Sequence, residues 1–151
     1  MKRLLLVVAL GAAVAIALAA VPFGAAGGKR FLIGRQLNFT GPTTAAGTFS
    51  IAGAYSDSGS VTATFAATPG KDNTTIFSGD ETQTGGQGTI SVHFNVVSYP
   101  ASDPREFATG REVVTAATGA YASLVGTKLK AQVVIDLIAN TDTEIADSGG
   151  N

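Results

Sequence analysis

From residue 30 onward the chain alternates apolar and polar positions with a period of two, the pattern of strands that bury one face. In residues 30–40, Phe31, Ile33, Leu37 and Phe39 share a face with Arg35 among them, and Gly41-Pro42 closes the run. Residues 43–47 are small and polar and read as a loop. Residues 48–56 place Phe49, Ile51 and Tyr55 together, and Asp57-Ser58-Gly59 supplies a hairpin turn. In residues 60–68, Val61, Ala63 and Phe65 oppose Thr62 and Thr64. After the turn cluster 69–73, the Thr-rich run 74–84 points Ile76 and Phe77 to opposite faces. Following the glycines of 85–88, residues 89–99 set Ile90, Val92, Phe94 and Val96 against Ser91, His93 and Asn95. A loop over 100–104 leads to residues 105–115, with Phe107, Arg111 and Val113 in phase.

The alternation fails at residues 117–126, Ala-Thr-Gly-Ala-Tyr-Ala-Ser-Leu-Val-Gly, where two glycines bracket enough residues for one helical turn. A long strand follows over 127–138, with Leu129, Ala131, Val133, Ile135 and Leu137 on one face, and residues 141–146 read as a short closing strand. Beyond residue 26 no stretch supports a helix of ten residues. The pattern predicts an all-β domain of seven strong strands and one weaker one, joined by Gly, Pro, Asp and Asn turns. Such a series builds an antiparallel sandwich or a closed barrel. Glycines within the runs, at 34, 53, 79 and 110, suit the bending that barrel closure needs.

The first residues have a different character. Lys2 and Arg3 precede an apolar run from Leu4 to Ala20, and Gly24-Ala25-Ala26 offers small residues for cleavage. This is the layout of a secretory signal peptide over residues 1–26, with a domain over 27–151. The expected location is extracellular or periplasmic, with no stable membrane span after cleavage. A retained anchor is the rival, but the run is short for a span and ends in small residues. Loss of Lys2 and Arg3 leaves eight of the ten basic side chains against eleven acidic ones, a net charge of −3. No basic patch is dense enough for nucleic acid. The chain holds no cysteine, so a secreted domain must rest on its core rather than on disulfides.

The element Thr118-Gly119-Ala120-Tyr121-Ala122, set between two late strands, resembles the allene oxide cyclase/dirigent-like superfamily of calycin-type barrels, and within it small secreted bacterial members of unknown role. Thr48-Phe49 through Gly59 and Gly88-Thr89-Ile90 agree with it, so the resemblance spans roughly residues 30–147. Ala117 and Lys128 stand where the family pattern has glycine. The resemblance implies a single antiparallel eight-stranded β-barrel with an apolar interior, preceded here by the signal-peptide helix. Some plant relatives use that interior to cyclise a lipid epoxide or to guide phenoxy-radical coupling. None of their functional residues matches a position here.

Catalytic signatures are absent. His93 is the sole histidine, on the polar face of its run, and reads as an ordinary exposed or hydrogen-bonded residue. Zinc needs three or four such ligands. Asp57, Asp72, Asp80 and Asp103 lie in or near turns without calcium-loop spacing. No metal and no cofactor is therefore expected. No Gly-x-Ser-x-Gly elbow is present, and the abundant Ser and Thr suit strand faces. The distinctive feature is charge in phase with apolar residues. Arg35 and Arg111 are expected to point into the barrel, with Glu81 or Asp80 as partner, because a buried guanidinium must be paired. Such a cluster either holds the core or orients an acidic or polar ligand head group. Tyr121 is expected to plug one end of the barrel, its ring buried and its hydroxyl at water. Arg35, Glu81, Arg111 and Tyr121 are thus the candidate ligand-binding residues. The sequence points to a non-catalytic barrel binding a small apolar or amphipathic molecule. The alternatives are a cyclase- or isomerase-like enzyme and a structural domain with a packed core. Nothing in the pattern fixes the oligomeric state.

Overall fold

The computed structural model describes residues 30–99 and 104–149. The signal peptide assigned to residues 1–26, and most of the loop at 100–104, lie outside the described residues. The remainder is a closed barrel of eight antiparallel strands, each bonded to the next and β8 returning to β1. The strands are β1 (Phe31–Gly41), β2 (Thr44–Gly53), β3 (Asp57–Pro69), β4 (Thr75–Gly85), β5 (Gly88–Tyr99), β6 (Arg105–Ala117), β7 (Lys128–Asp136) and β8 (Thr141–Asp147). A short 3-10 helix, Gly119–Leu124, interrupts the series between β6 and β7.

Closure explains the alternation, since every strand has one face inside and one outside. The outer face carries Asp80, His93, Asn95, Arg111, Lys130 and Gln132, whereas a barrel that spans a membrane shows lipid an apolar band. No helix among the described residues is long and apolar enough to cross a membrane. His93 is exposed, its Nδ1 2.9 Å from Asp80 Oδ1.

The interior has two apolar zones. The larger gathers Phe31, Ile33, Phe49, Ile51, Val61, Ile90, Val92, Val114, Tyr121, Leu124 and Leu129 near one end. The smaller gathers Val96, Ala108, Ala131, Val133 and Ile135 toward the other, with Phe39, Phe77 and Phe94 against it. The 3-10 helix stops the first end. Its Gly119 has φ +60°, and a Cβ there would collide with the Gln87 carbonyl. Tyr121 is fully buried, 5.3 Å from the ring of Tyr55, which meets Phe31 edge-on at 5.6 Å. The Tyr121 hydroxyl donates to Asp57 Oδ2 at 2.7 Å instead of reaching water. Asp57 also accepts from the backbone N–H groups of Gln87 at 2.9 Å and Gly86 at 3.2 Å. The expected turn acid is therefore a clamp that fastens β3, the β4–β5 turn and the plug to one another. The Gln87 N–H and the Tyr121 hydroxyl hold its carboxyl below the usual range.

Four expectations need correction. Residues 44–47 are strand, not loop, because they pair with β1 on one side and β3 on the other. The turn between β2 and β3 falls at 54–56, and Asp57-Ser58-Gly59 already belongs to β3. Leu137 lies in the β7–β8 turn and is exposed rather than inward. In β6 the phase is the reverse of the expected one: Ala108, Glu112 and Val114 are buried, while Phe107 is 61 % exposed and Arg111 and Val113 face outward. Gly110 shares the inward face, where a Cβ would run into the Asn95 carbonyl of β5.

Tyr121→Ala should cost about 3–5 kcal/mol, the range for emptying a large buried aromatic site, with Tyr121→Phe losing less because the ring still fills the end. Urea unfolding of the two variants beside the parent checks the order.

Candidate functional site

Arg35 sits midway along β1 and faces inward, with 1 % of its surface exposed. Three other strands each supply a glutamate to it. Its Nε lies 2.5 Å from Glu81 Oε1 of β4. Its Nη1 and Nη2 donate to Glu112 of β6 at 2.7 and 2.9 Å, a two-pronged contact that matches the guanidinium plane. Its Nη1 is also 2.8 Å from Glu144 Oε1 of β8, the residue directly across the β1–β8 pairing. Gln83, fully buried, donates from Nε2 to Glu81 Oε1 at 2.5 Å. Asp142, two residues before Glu144 on the same inward face, stands next to Leu37 and Ile135 in register.

One guanidinium thus contacts three glutamates, with the Asp142 carboxyl near enough to feel its charge, and burial makes full ionisation of all four acids untenable. Burial pushes Glu81 up, with Arg35 opposing and Glu112 adding to the rise. Burial likewise raises Glu144 well above its ordinary value, despite Arg35. Glu112 moves the other way: burial works against its charge, but Arg35 and a hydrogen bond from Glu144 outweigh it. Of this pair, Glu144 thus keeps a proton more tightly than an ordinary glutamate and Glu112 less tightly. Asp142 is pushed up to about 7 by burial and by Glu81, with Arg35 opposing. Its Oδ1 is buried without a hydrogen-bond partner.

Above this layer, toward the end away from the plug, lies a pocket. Its walls are Leu37, Phe39, Phe65, Phe77, Phe94, Val96, Val133 and Ile135, with the small side chains of Ala45 and Ala63 between them. Glu81, Asp142 and Glu144 are its polar lining. Phe65 meets Phe39 at 5.8 Å and Phe77 at 6.0 Å, both edge to face. The pocket holds about 480 Å³ of atom-free space counted out to its mouth, of which about 40 Å³ admits the centre of a water-sized molecule.

Of the four candidates, the structure brings Arg35 and Glu81 together. Arg111 is outside on β6, since Phe107 and Val113, with which it is in phase, are outward as well. Asp80 is also outside, so Glu81 alone of that pair reaches Arg35. Tyr121 is at the plugged end, away from the pocket lining. Arg35 is buried behind Glu81 and Glu144 and does not itself line the pocket. The sequence reading missed Glu112, Glu144, Gln83 and Asp142. Glu112 was visible as the residue in phase with Ala108, Gly110 and Val114. Asp142 and Glu144 were visible as the partners in phase with Ala146. Among the described residues no cluster is arranged to hold a metal ion.

Fold and site together define a small closed β-barrel with one packed end and one aromatic pocket floored by carboxyls. No family model, curated protein or solved structure matches the chain.

Arg35→Met should destabilise the protein by about 3–5 kcal/mol at pH 7, the range for stranding buried partners of a lost charge, and by less at pH 5, where the glutamates can take up protons. Chemical denaturation at the two pH values checks this. A second expectation concerns the parent. Glu81, Glu144 and Asp142 hold protons more tightly folded than unfolded, where such carboxyls titrate near about 4. Their contribution to stability is present below that value and is lost as pH rises through their folded values, about 7 for Asp142. Stability should therefore fall between about pH 5 and 7 rather than plateau, by at most about 4 kcal/mol from Asp142. Asp142→Asn should flatten that slope in a series of urea midpoints against pH.

Proposed function

We propose that this is a secreted, non-catalytic binding barrel that takes a small amphipathic molecule into the pocket at its unplugged end. The observation that carries the reading is the pocket itself. Four phenylalanines and several aliphatic side chains enclose space above a few convergent polar groups, the usual make-up of a small-molecule site. The charged layer then serves as a floor that separates the pocket from the packed end. The export layout of residues 1–26 supports a location outside the cytoplasm for such a binder. The 3-10 element between β6 and β7, carrying Thr-Gly-Ala-Tyr-Ala, supports kinship with the allene oxide cyclase/dirigent-like barrels.

One observation favours a second reading, an isomerase- or cyclase-like enzyme. Asp142, pushed up to about 7 by burial and Glu81, and Glu144, raised by burial, both line the pocket, and such a pair can exchange protons with a bound molecule. That activity would show as conversion of a bound ligand to an isomer at a rate that depends on Asp142.

The binding reading is tested with a neutral apolar dye, N-phenyl-1-naphthylamine, titrated into the full chain. Saturable one-to-one fluorescence enhancement is expected. Ala63→Phe and, as a milder filler, Ala45→Leu should each weaken it at least tenfold while thermal melting shows a folded protein. An absence of dye binding, or binding that the folded fillers leave unchanged, overturns the reading.

A further inference from the structure

We infer that the pocket selects molecules with a cationic head on an apolar body, such as a protonated alkyl or aryl amine, and rejects the matching acids. This rests on the reading of the pocket as a binding site. Three features of that cavity carry it. First, its titratable lining is all acidic: among the described residues Glu81, Asp142 and Glu144 reach it, whereas no Lys, Arg or His does. Second, the nearest cation is paired and out of reach. Arg35 is buried beneath the floor and does not line the pocket, its Nε near Glu81, its Nη1 on Glu112 and Glu144 and its Nη2 on Glu112, so an incoming carboxylate does not meet it. Third, Asp142 Oδ1 is buried and accepts nothing from the protein, an acceptor left open on a residue that lines the pocket.

The walls fit the same choice. Phe39, Phe65, Phe77 and Phe94 offer ring faces, and a cation near an aromatic face is attracted by the ring quadrupole. An ammonium group entering tail-outward meets Asp142 and Glu144 at the floor and rings at the sides. It gives up water but gains an ion pair in a low-dielectric site. A carboxylate head gives up water equally and adds one more acid to a floor that already holds more carboxyls than Arg35 can neutralise. An alcohol of the same length does neither. The expected order is amine, then alcohol, then acid.

The test displaces N-phenyl-1-naphthylamine from the full chain with octylamine, 1-octanol and octanoate at pH 8. Octylamine should compete at least tenfold more strongly than octanol, and octanoate more weakly than octanol. In Asp142→Asn the amine-to-alcohol ratio should fall at least threefold. Ala63→Phe should lose amine binding with the dye, which separates the pocket from adsorption on the acidic exterior. Dye binding with an amine-to-alcohol ratio of one or below, or with octanoate preferred, overturns the inference and leaves the binding reading standing. An amine preference untouched by Asp142→Asn, or retained in Ala63→Phe, overturns it as well. Failure of the dye itself to bind overturns the binding reading on which the inference rests.

Discussion

A guanidinium inside a barrel this narrow must be met by carboxylates, and the molecule is arranged around that demand. Arg35 projects from β1, and its partners arrive from β4, β6 and β8, so one side chain ties four of the eight strands across the interior. Two of those strands, β1 and β8, form the seam that closes the barrel, with Arg35 and Glu144 opposite one another in register. The seam thus carries a charge contact as well as backbone bonds. The arrangement overshoots neutrality, because a single positive charge faces Glu81, Glu112, Glu144 and Asp142. The excess is resolved by proton retention, with burial raising Glu81, Glu144 and Asp142 and only Glu112 driven toward ionisation.

This layer divides the interior into halves with opposite treatment. On the plugged side, large residues fill the space: Phe31, Phe49, Ile90, Leu124 and Leu129 pack under a helix that Asp57 fastens through the Tyr121 hydroxyl and the Gln87 and Gly86 amides. On the other side, Ala45 and Ala63 occupy inward positions on two adjacent strands. Small residues there leave room that the phenylalanines of β1, β3, β4 and β5 line without filling. The pocket is therefore a consequence of side-chain size at particular register positions, not of a wider barrel.

Most of the fold was legible because closure imposes a strict period of two on every strand. In β5 and β7 the alternation marks the inward set almost residue by residue, and phase narrowed the partner of Arg35 to Glu81 or Asp80, of which the structure selects Glu81. The reading failed where size misled it. Phe107 is the largest apolar residue of β6, yet it lies outside with Arg111 and Val113, while the inward set is Ala108, Gly110, Glu112 and Val114. The inside of a crowded barrel favours small residues where strands approach closely, as Gly110 against the Asn95 carbonyl shows. Arg111 was misplaced with its neighbours, and Glu112 was hidden by the same error. Residues 44–47 lack any large side chain, so only their pairing on both sides reveals them as strand. Glu144 and Asp142 sit on a short, polar strand whose own pattern is weak, and their importance comes from Arg35, which is distant in sequence.

Stability does not account for the composition of the charged layer. Replacing a buried ion cluster with well-packed apolar residues is often neutral or favourable, so such clusters are weak evidence of a stabilising role. A single glutamate would suffice to neutralise Arg35, and Glu112 alone makes the two-pronged contact. The surplus carboxyls are not scattered: Glu81, Glu144 and Asp142 all border the pocket, while Glu112, the best-paired of the four, does not. Arg35 is then better understood as the support that makes an acidic floor tolerable than as a site in its own right. It neutralises enough charge for the barrel to fold, and it leaves the remaining carboxyls turned toward the pocket, where a compensating partner can be met.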